Sequence, residues 1–200
     1  MRTITITKNL YTFNELSEKA KEKVKQDYLS DEFRTEIFSE NCMDRINELF
    51  PNSNLEIQFS LCGCQGDGFN IYGEISFIDL MEILKEKFSE EEKKFLKWAF
   101  EETGIDSFKM PYNNFYCYCI AHRHNFMEEV LNTLEYYNIS NIKEEVLEKM
   151  TKETGLYIEK LCKEFEETGY DFFYHVSDEE IEDWANVNEY EFTEDGIISF

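Results

Sequence analysis

Basic residues are scarce in this chain and proline is nearly missing. Its 200 residues include 20 Lys and Arg against 43 Asp and Glu, a formal net charge of −23 at pH 7, with only two prolines. Affinity for a phosphate backbone comes from lysine and arginine, so the deficit argues against direct nucleic-acid binding. No apolar run approaches the roughly 18 residues that a membrane span requires. The opening MRTITITKNL alternates polar and apolar residues where a secretion signal would carry an apolar stretch, so a cytoplasmic location is expected. Internal repeats and low-complexity linkers are also lacking. One compact α+β unit is therefore expected, divided into an α+β core over 1–125 and an acidic helical section over 126–200 packed on it.

What is present fills a core. Hydrophobic residues make up 42% of the chain, with 18 Phe and 12 Tyr, enough to fold without covalent staples. Six cysteines, at 42, 62, 64, 117, 119 and 162, are expected as reduced and mostly buried thiols in a chain without an export signal.

The acids are unevenly spread. Residues 126–200 hold 21 acids and 5 bases, and from Gly169 onward there are ten acids and no Lys or Arg: Asp171, Asp178, Glu179, Glu180, Glu182, Asp183, Glu189, Glu191, Glu194 and Asp195. Nothing inside that segment neutralises them.

Hydrophobic spacing predicts the elements. Ile4 and Ile6 alternate with threonines as in a strand over 3–7. A helix follows, capped by Ser17 and carrying Leu16, Ala20, Val24 and Tyr28 at spacings of four. A second, over 31–50, has Phe33, Ile37, Cys42, Ile46 and Leu49 and stops at Pro51. Leu55, Ile57, Phe59 and Leu61, then Phe69, Ile71, Ile75 and Phe77, fall on odd positions around Gln65-Gly66-Asp67-Gly68, the pattern of a hairpin. A helix over 77–88 and one launched by a Ser89/Glu92 capping box and ended by Gly104 cover the sheet. A strand over 115–122, a helix over 126–137 and a long helix from Ile142 to Thr168 come next, the last with Glu145/Lys149, Glu148/Lys152 and Glu159/Lys163 at i,i+4. A Ser177/Glu180 capping box opens a short helix ending near Asn186, and YEFTEDGIISF closes as a hairpin turning at Glu194-Asp195-Gly196. The fold class expected is α+β: an antiparallel sheet with a central hairpin, covered by several helices, and a helical C-terminal section ending in a short hairpin.

Three groups of residues have chemistry to weigh. Cys62/Cys64 and Cys117/Cys119 each place two thiols on one side of a strand, and neighbouring strands would bring four thiolates to a zinc ion; buried packing is the alternative and fits strand cysteines better. His122 and His124, with His175, offer imidazoles, but a Cys–His pair at odd spacing along a strand faces opposite sides. Asp67 is one carboxylate in a glycine bend without the strand-to-helix context of a phosphate loop, where a turn role is favoured. No cofactor and no catalytic residue is expected.

YTFNELSEKAKEKV, CQGDGFNIYGE and NVNEYEFTEDG resemble, in that order and over most of the chain, a widespread set of small proteins of tailed phages and prophages. The shared patterns are F-x-E-L-S-x-x-A-K, Q-G-D-G with a later glycine, and N-x-Y-x-F-x-x-D-G. The cysteines flanking Q-G-D-G depart from it. The resemblance implies a counter-defence protein of the anti-CRISPR kind, acting on Cas9 in the cytoplasm of a bacterial host, and brings no catalytic motif with it. Joined to the charge asymmetry, it predicts that the ten acids compete with nucleic acid for a basic host nuclease. Acids every third residue of a helix recur about every 4.5 Å against about 1.7 Å for duplex phosphates, so partial occlusion of a channel is expected rather than mimicry of a whole duplex. The alternative is a metal-binding or hydrolytic enzyme using Asp67, Cys62, Cys64, Cys117, Cys119 and His122.

Overall fold

The computed structural model describes residues 7–63, 66–110 and 127–199. In chain order the elements are α1 (Glu18–Leu29), α2 (Phe33–Leu49), β1 (Asn54–Ser60), β2 (Gly68–Ser76), α3 (Phe77–Ile83), α4 (Glu90–Thr103), β3 (Ser107–Met110), α5 (Glu128–Tyr136), α6 (Glu144–Tyr174), α7 (Asp178–Val187), β4 (Glu191–Phe192) and β5 (Ile198–Ser199), with short 3-10 turns at Phe13–Glu15 and Lys85–Lys87. This is the expected α+β class. The strands predicted over 3–7 and 115–122 lie, but for Thr7, outside the described residues, as does the 125/126 division. Backbone proximity separates two compact units: residues 1–38 with 170–200, and 39–169.

The first unit is built on helix caps and a small core. Ser17 accepts a hydrogen bond from the Ala20 amide at 3.3 Å and so starts α1. Leu16, Ala20 and Val24 then bury one stripe against Phe13, Ile181, Ala185 and Phe192. The β4–β5 hairpin is antiparallel, pairs Phe192 with Ile198, and turns through Gly196 at φ 78°. A Cβ on Gly196 would lie 2.6 Å from the Ala20 carbonyl oxygen, so the glycine permits the hairpin to rest on α1. Tyr11 bridges to Phe192 by reciprocal backbone bonds. Two stretches, F-x-E-L-S-x-x-A-K and F-x-x-D-G, thereby pack on each other.

Within α2 the buried stripe differs from the predicted one. Arg34, Phe38, Cys42, Ile46 and Phe50 are buried, whereas Phe33 and Ile37 are exposed. Spacings of four from Arg34 make a stripe that winds about 40° per step around the helix, and Phe33 and Ile37 each sit about 100° from the buried residue that follows them.

The second unit holds the three-stranded antiparallel sheet in the order β1-β2-β3. Ile57 pairs with Ile71 and Phe59 with Phe69, and the last pair is Ser60 with Gly68, so pairing ends earlier along β1 than the predicted strand to Cys64. Phe69 and Ile71 are fully buried, and Phe69 meets Phe165 of α6 at 4.9 Å between ring centroids. Each fully buried side chain of this size contributes about 1.5–3 kcal/mol. β3 leaves no signal in the sequence, since four residues are too short to show a period; Phe108 and Met110 alternate inward.

α4 has the predicted Ser89/Glu92 capping box and ends on Gly104 in the left-handed region. α6 runs through Gly169, where the sequence predicts its end, to Tyr174. Beyond that glycine Phe172 and Phe173 pack on Phe38, which outweighs the roughly 1 kcal/mol that a helical glycine costs. Of the predicted i,i+4 pairs, Glu159–Lys163 forms at 2.9 Å, while Lys149 reaches Glu92 of α4 at 2.8 Å.

Candidate functional site

The ten carboxylates of the C-terminal segment all belong to the first unit, which holds 17 acids and 7 bases. Nine are exposed and Glu182 is half-buried. α7 divides its own acids by helical geometry. Its buried face carries Ile181 and Ala185, so Glu179 and Asp183, four residues apart, point to the opposite side, while half-buried Glu182 lies at the edge of the buried face.

Asp178 and Glu180 flank the buried face and meet bases from earlier in the chain. Lys25 makes an ion pair with Asp178, and Lys21 lies 4.0 Å from it. The Lys25 hydrogen bond holds the Asp178 carboxyl below its ordinary range and in turn raises the Lys25 ammonium. Glu180 accepts a hydrogen bond from the Tyr28 hydroxyl at 3.0 Å and lies 3.7 Å from Arg34 Nη1. Burial is the main reason that the Tyr28 phenol is raised. Ser177 caps α7 through the Glu180 amide at 3.1 Å, but the Glu180 side chain is committed to Tyr28 and Arg34, so only half of the predicted capping box forms.

Arg34 is 3% exposed. Its guanidinium lies between the rings of Tyr28 and Phe172, at 4.3 and 4.2 Å, and Nη2 donates to the Phe172 carbonyl. Nε and Nη1 have no hydrogen-bond partner. One of two arginines in an acidic, amphipathic helix, Arg34 carries no sequence signal for this position. Lys21 and Lys25, one turn apart on α1, are a signal that reading the C-terminal segment by itself misses.

In the C-terminal hairpin Thr193 donates to Asp195 at 2.6 Å, the main cause of that carboxyl's lowered pKa, and Lys23 donates to the Asp195 carbonyl at 3.4 Å. Asp171, Glu179, Glu182, Asp183, Glu189, Glu191, Glu194 and Asp195 make no side-chain ion pair among the described residues. Glu22, Asp171, Tyr174, His175 and Glu180 line a polar hollow of about 620 Å³ that Lys25 also faces. Of the aromatic side chains amid these acids, Trp184 is half-buried against Tyr28 and Tyr190, both at 5.0 Å, while Tyr174 is exposed.

The second candidate group is only partly described. Cys64, Cys117, Cys119, His122 and His124 lie outside the described residues. Asp67 accepts hydrogen bonds from the Gly63 amide at 2.5 Å, from Cys62 Sγ at 3.2 Å and from Ser60 Oγ at 3.3 Å. That is the work of a turn carboxylate, closing the loop between β1 and β2 onto itself. Cys42 and Cys162 are buried and Cys62 is exposed; burial pushes the Cys42 thiol up to about 12. Among the described residues no three His, Cys, Asp or Glu side chains are grouped to hold a metal, and no helix is long and apolar enough to cross a membrane.

The fold class is α+β, with an acidic C-terminal segment. Compared with family models, curated proteins and solved structures, the chain matches none.

Proposed function

We propose that this protein is a phage- or prophage-encoded counter-defence protein of the anti-CRISPR kind, which binds a host nuclease such as Cas9 through the acidic C-terminal face and competes with nucleic acid. The carrying observation is the division of labour on α7. Asp178 and Glu180 are tied to bases of the first unit, while Glu179 and Asp183 face outward, with Glu189, Glu191 and Glu194 exposed beyond the helix. Unpaired carboxylates of one sign steer a basic partner and make its association salt-dependent. The phage-like pattern supplies the biological context, and its residues Phe13, Leu16, Ala20, Phe192 and Gly196 act in the core and the turn rather than on this face. Exposed Tyr174 supplies an aromatic contact beside the acids.

The test is inhibition of, and pull-down with, Cas9 at two ionic strengths. It uses a variant with Glu179, Glu182, Glu189, Glu191 and Glu194 changed to Gln and Asp183 to Asn, sparing Asp178 and Glu180, which hold the fold. Loss of binding with an unchanged unfolding midpoint is expected, and wild-type binding weakens as salt rises. Wild-type binding by the variant rejects the proposal.

A further inference from the structure

Away from the acidic segment, the second unit has a hollow of about 910 Å³ beside α3 and α4. Apolar side chains form much of its lining. The Phe77 and Phe100 rings lie with centroids 3.6 Å apart, and Leu49, Met81 and Ile105 line the same hollow. Ile78 is 65% exposed, a large apolar side chain left in water within a concave surface.

Five carboxylates and three lysines share that lining, and nearly all of their charge is spent. Glu48 is paired with Arg45 at 3.2 Å, Glu82 with Lys85 at 2.6 Å, Glu101 with Lys97 at 3.8 Å, and Lys93 with Glu90 at 2.9 Å. Buried Asp79 has both oxygens in hydrogen bonds from Asn52 and Ser53. Lys94 and Asp106 are left without an ion pair among the described residues, one of each sign. No surplus of either sign therefore awaits a charged ligand, and a charge brought onto the apolar lining would lose hydration without a committed partner. Apolar contact is what the hollow offers.

We propose that this hollow binds an uncharged, mainly apolar small molecule, seated against Phe77, Ile78, Met81 and Phe100. The volume falls within the range of about 300–1,000 Å³ typical of small-molecule sites, whose linings are mainly apolar. A second copy of the chain is a poor occupant, because each copy carries a net charge of −23. The inference is independent of the acidic segment and of the nuclease proposal.

The experiment titrates the full chain with the neutral fluorophore N-phenyl-1-naphthylamine at high ionic strength, where the acids elsewhere on the chain are screened. Octanol, octanoate and octylammonium, which share a chain and differ in the charge of the head, compete with it. Saturable one-site binding is expected, with octanol displacing the probe about tenfold more readily than either ion. Ile78→Asp and, separately, Met81→Glu weaken the probe about tenfold, whereas Lys94→Gln and Asp106→Asn leave it unchanged. Far-ultraviolet circular dichroism and the urea midpoint verify that each variant is folded. Non-saturable uptake, displacement by either ion as ready as by octanol, weakened binding by a folded K94Q or D106N variant, or wild-type binding by a folded I78D or M81E variant overturns the proposal.

Discussion

Arg34 Nη1 lies 3.7 Å from Glu180 Oε1, setting one buried cation behind an otherwise exposed acidic segment. The pair is lopsided, since the guanidinium is enclosed and the carboxylate is half in water. The arginine is also held by two aromatic faces and a carbonyl, so most of its contribution is independent of Glu180.

Replacing Arg34 with Ala removes the aromatic contacts and strands the Phe172 carbonyl. Urea denaturation is expected to show a loss of about 2–4 kcal/mol. Glu180→Gln, which keeps the hydrogen-bond acceptor, costs about 1 kcal/mol or less. Equal losses from the two variants would contradict the asymmetry.

Two glycines with similar backbone angles separate conformational strain from crowding. Gly104 and Gly196 have φ of 68° and 78°, but a Cβ on Gly104 meets nothing within 4 Å, whereas one on Gly196 lies 2.6 Å from the Ala20 carbonyl oxygen. Gly104→Ala is expected to cost about 1 kcal/mol, and Gly196→Ala about 2–3 kcal/mol, because the hairpin must also move off α1. Thermal unfolding of both variants measures the difference.

Glu92 sets an acid-side limit on stability. Hydrogen bonds from Lys149 and from Ser89 lower its carboxyl from an ordinary 4.5 to about 2. A folded-state pKa below the unfolded one means that its contribution is complete above pH 4.5 and disappears as pH falls toward 2. Wild type is therefore expected to be more stable than Glu92→Gln at pH 7, with the urea midpoints of the two converging as pH drops through that window. A constant offset at every pH would refute the linkage.

Asp79 is 3% exposed, yet both its oxygens are hydrogen-bonded. It accepts hydrogen bonds from the Asn52 amide at 2.9 Å, the Asn52 side chain at 2.8 Å and the Ser53 hydroxyl at 2.6 Å, while Ser53 Oγ accepts from the Ser76 amide at 2.9 Å. This network fastens the turn after α2 to the start of α3. Asp79→Ala leaves these donors unsatisfied and is expected to lower stability by about 2–4 kcal/mol, read from the shift in urea midpoint at constant slope.

Local chemistry made much of the secondary structure legible. Ser17, Ser89 and Ser177 cap helices because a side-chain oxygen three residues before an orphan amide is a short-range relation. The β1–β2 pairing follows from period-two alternation, and Gly104 ends α4 through backbone freedom alone. Elements whose limits depend on distant partners were less legible. β3 is too brief for a period, α6 passes Gly169 because Phe172 and Phe173 find Phe38, and Lys149 turns from its own helix to Glu92.

Composition and order along the chain determined that acids gather at the C-terminal end and that bases are missing there. Only tertiary structure decided which acids remain unpaired. Lys21, Lys25 and Arg34 are more than 130 residues from Asp178 and Glu180 in the chain but face them across the first unit, pairing two carboxylates and leaving Glu179, Glu182 and Asp183 without an ion pair among the described residues. Charge is additive and can be read from residues one at a time, whereas pairing depends on distance, which packing alone supplies.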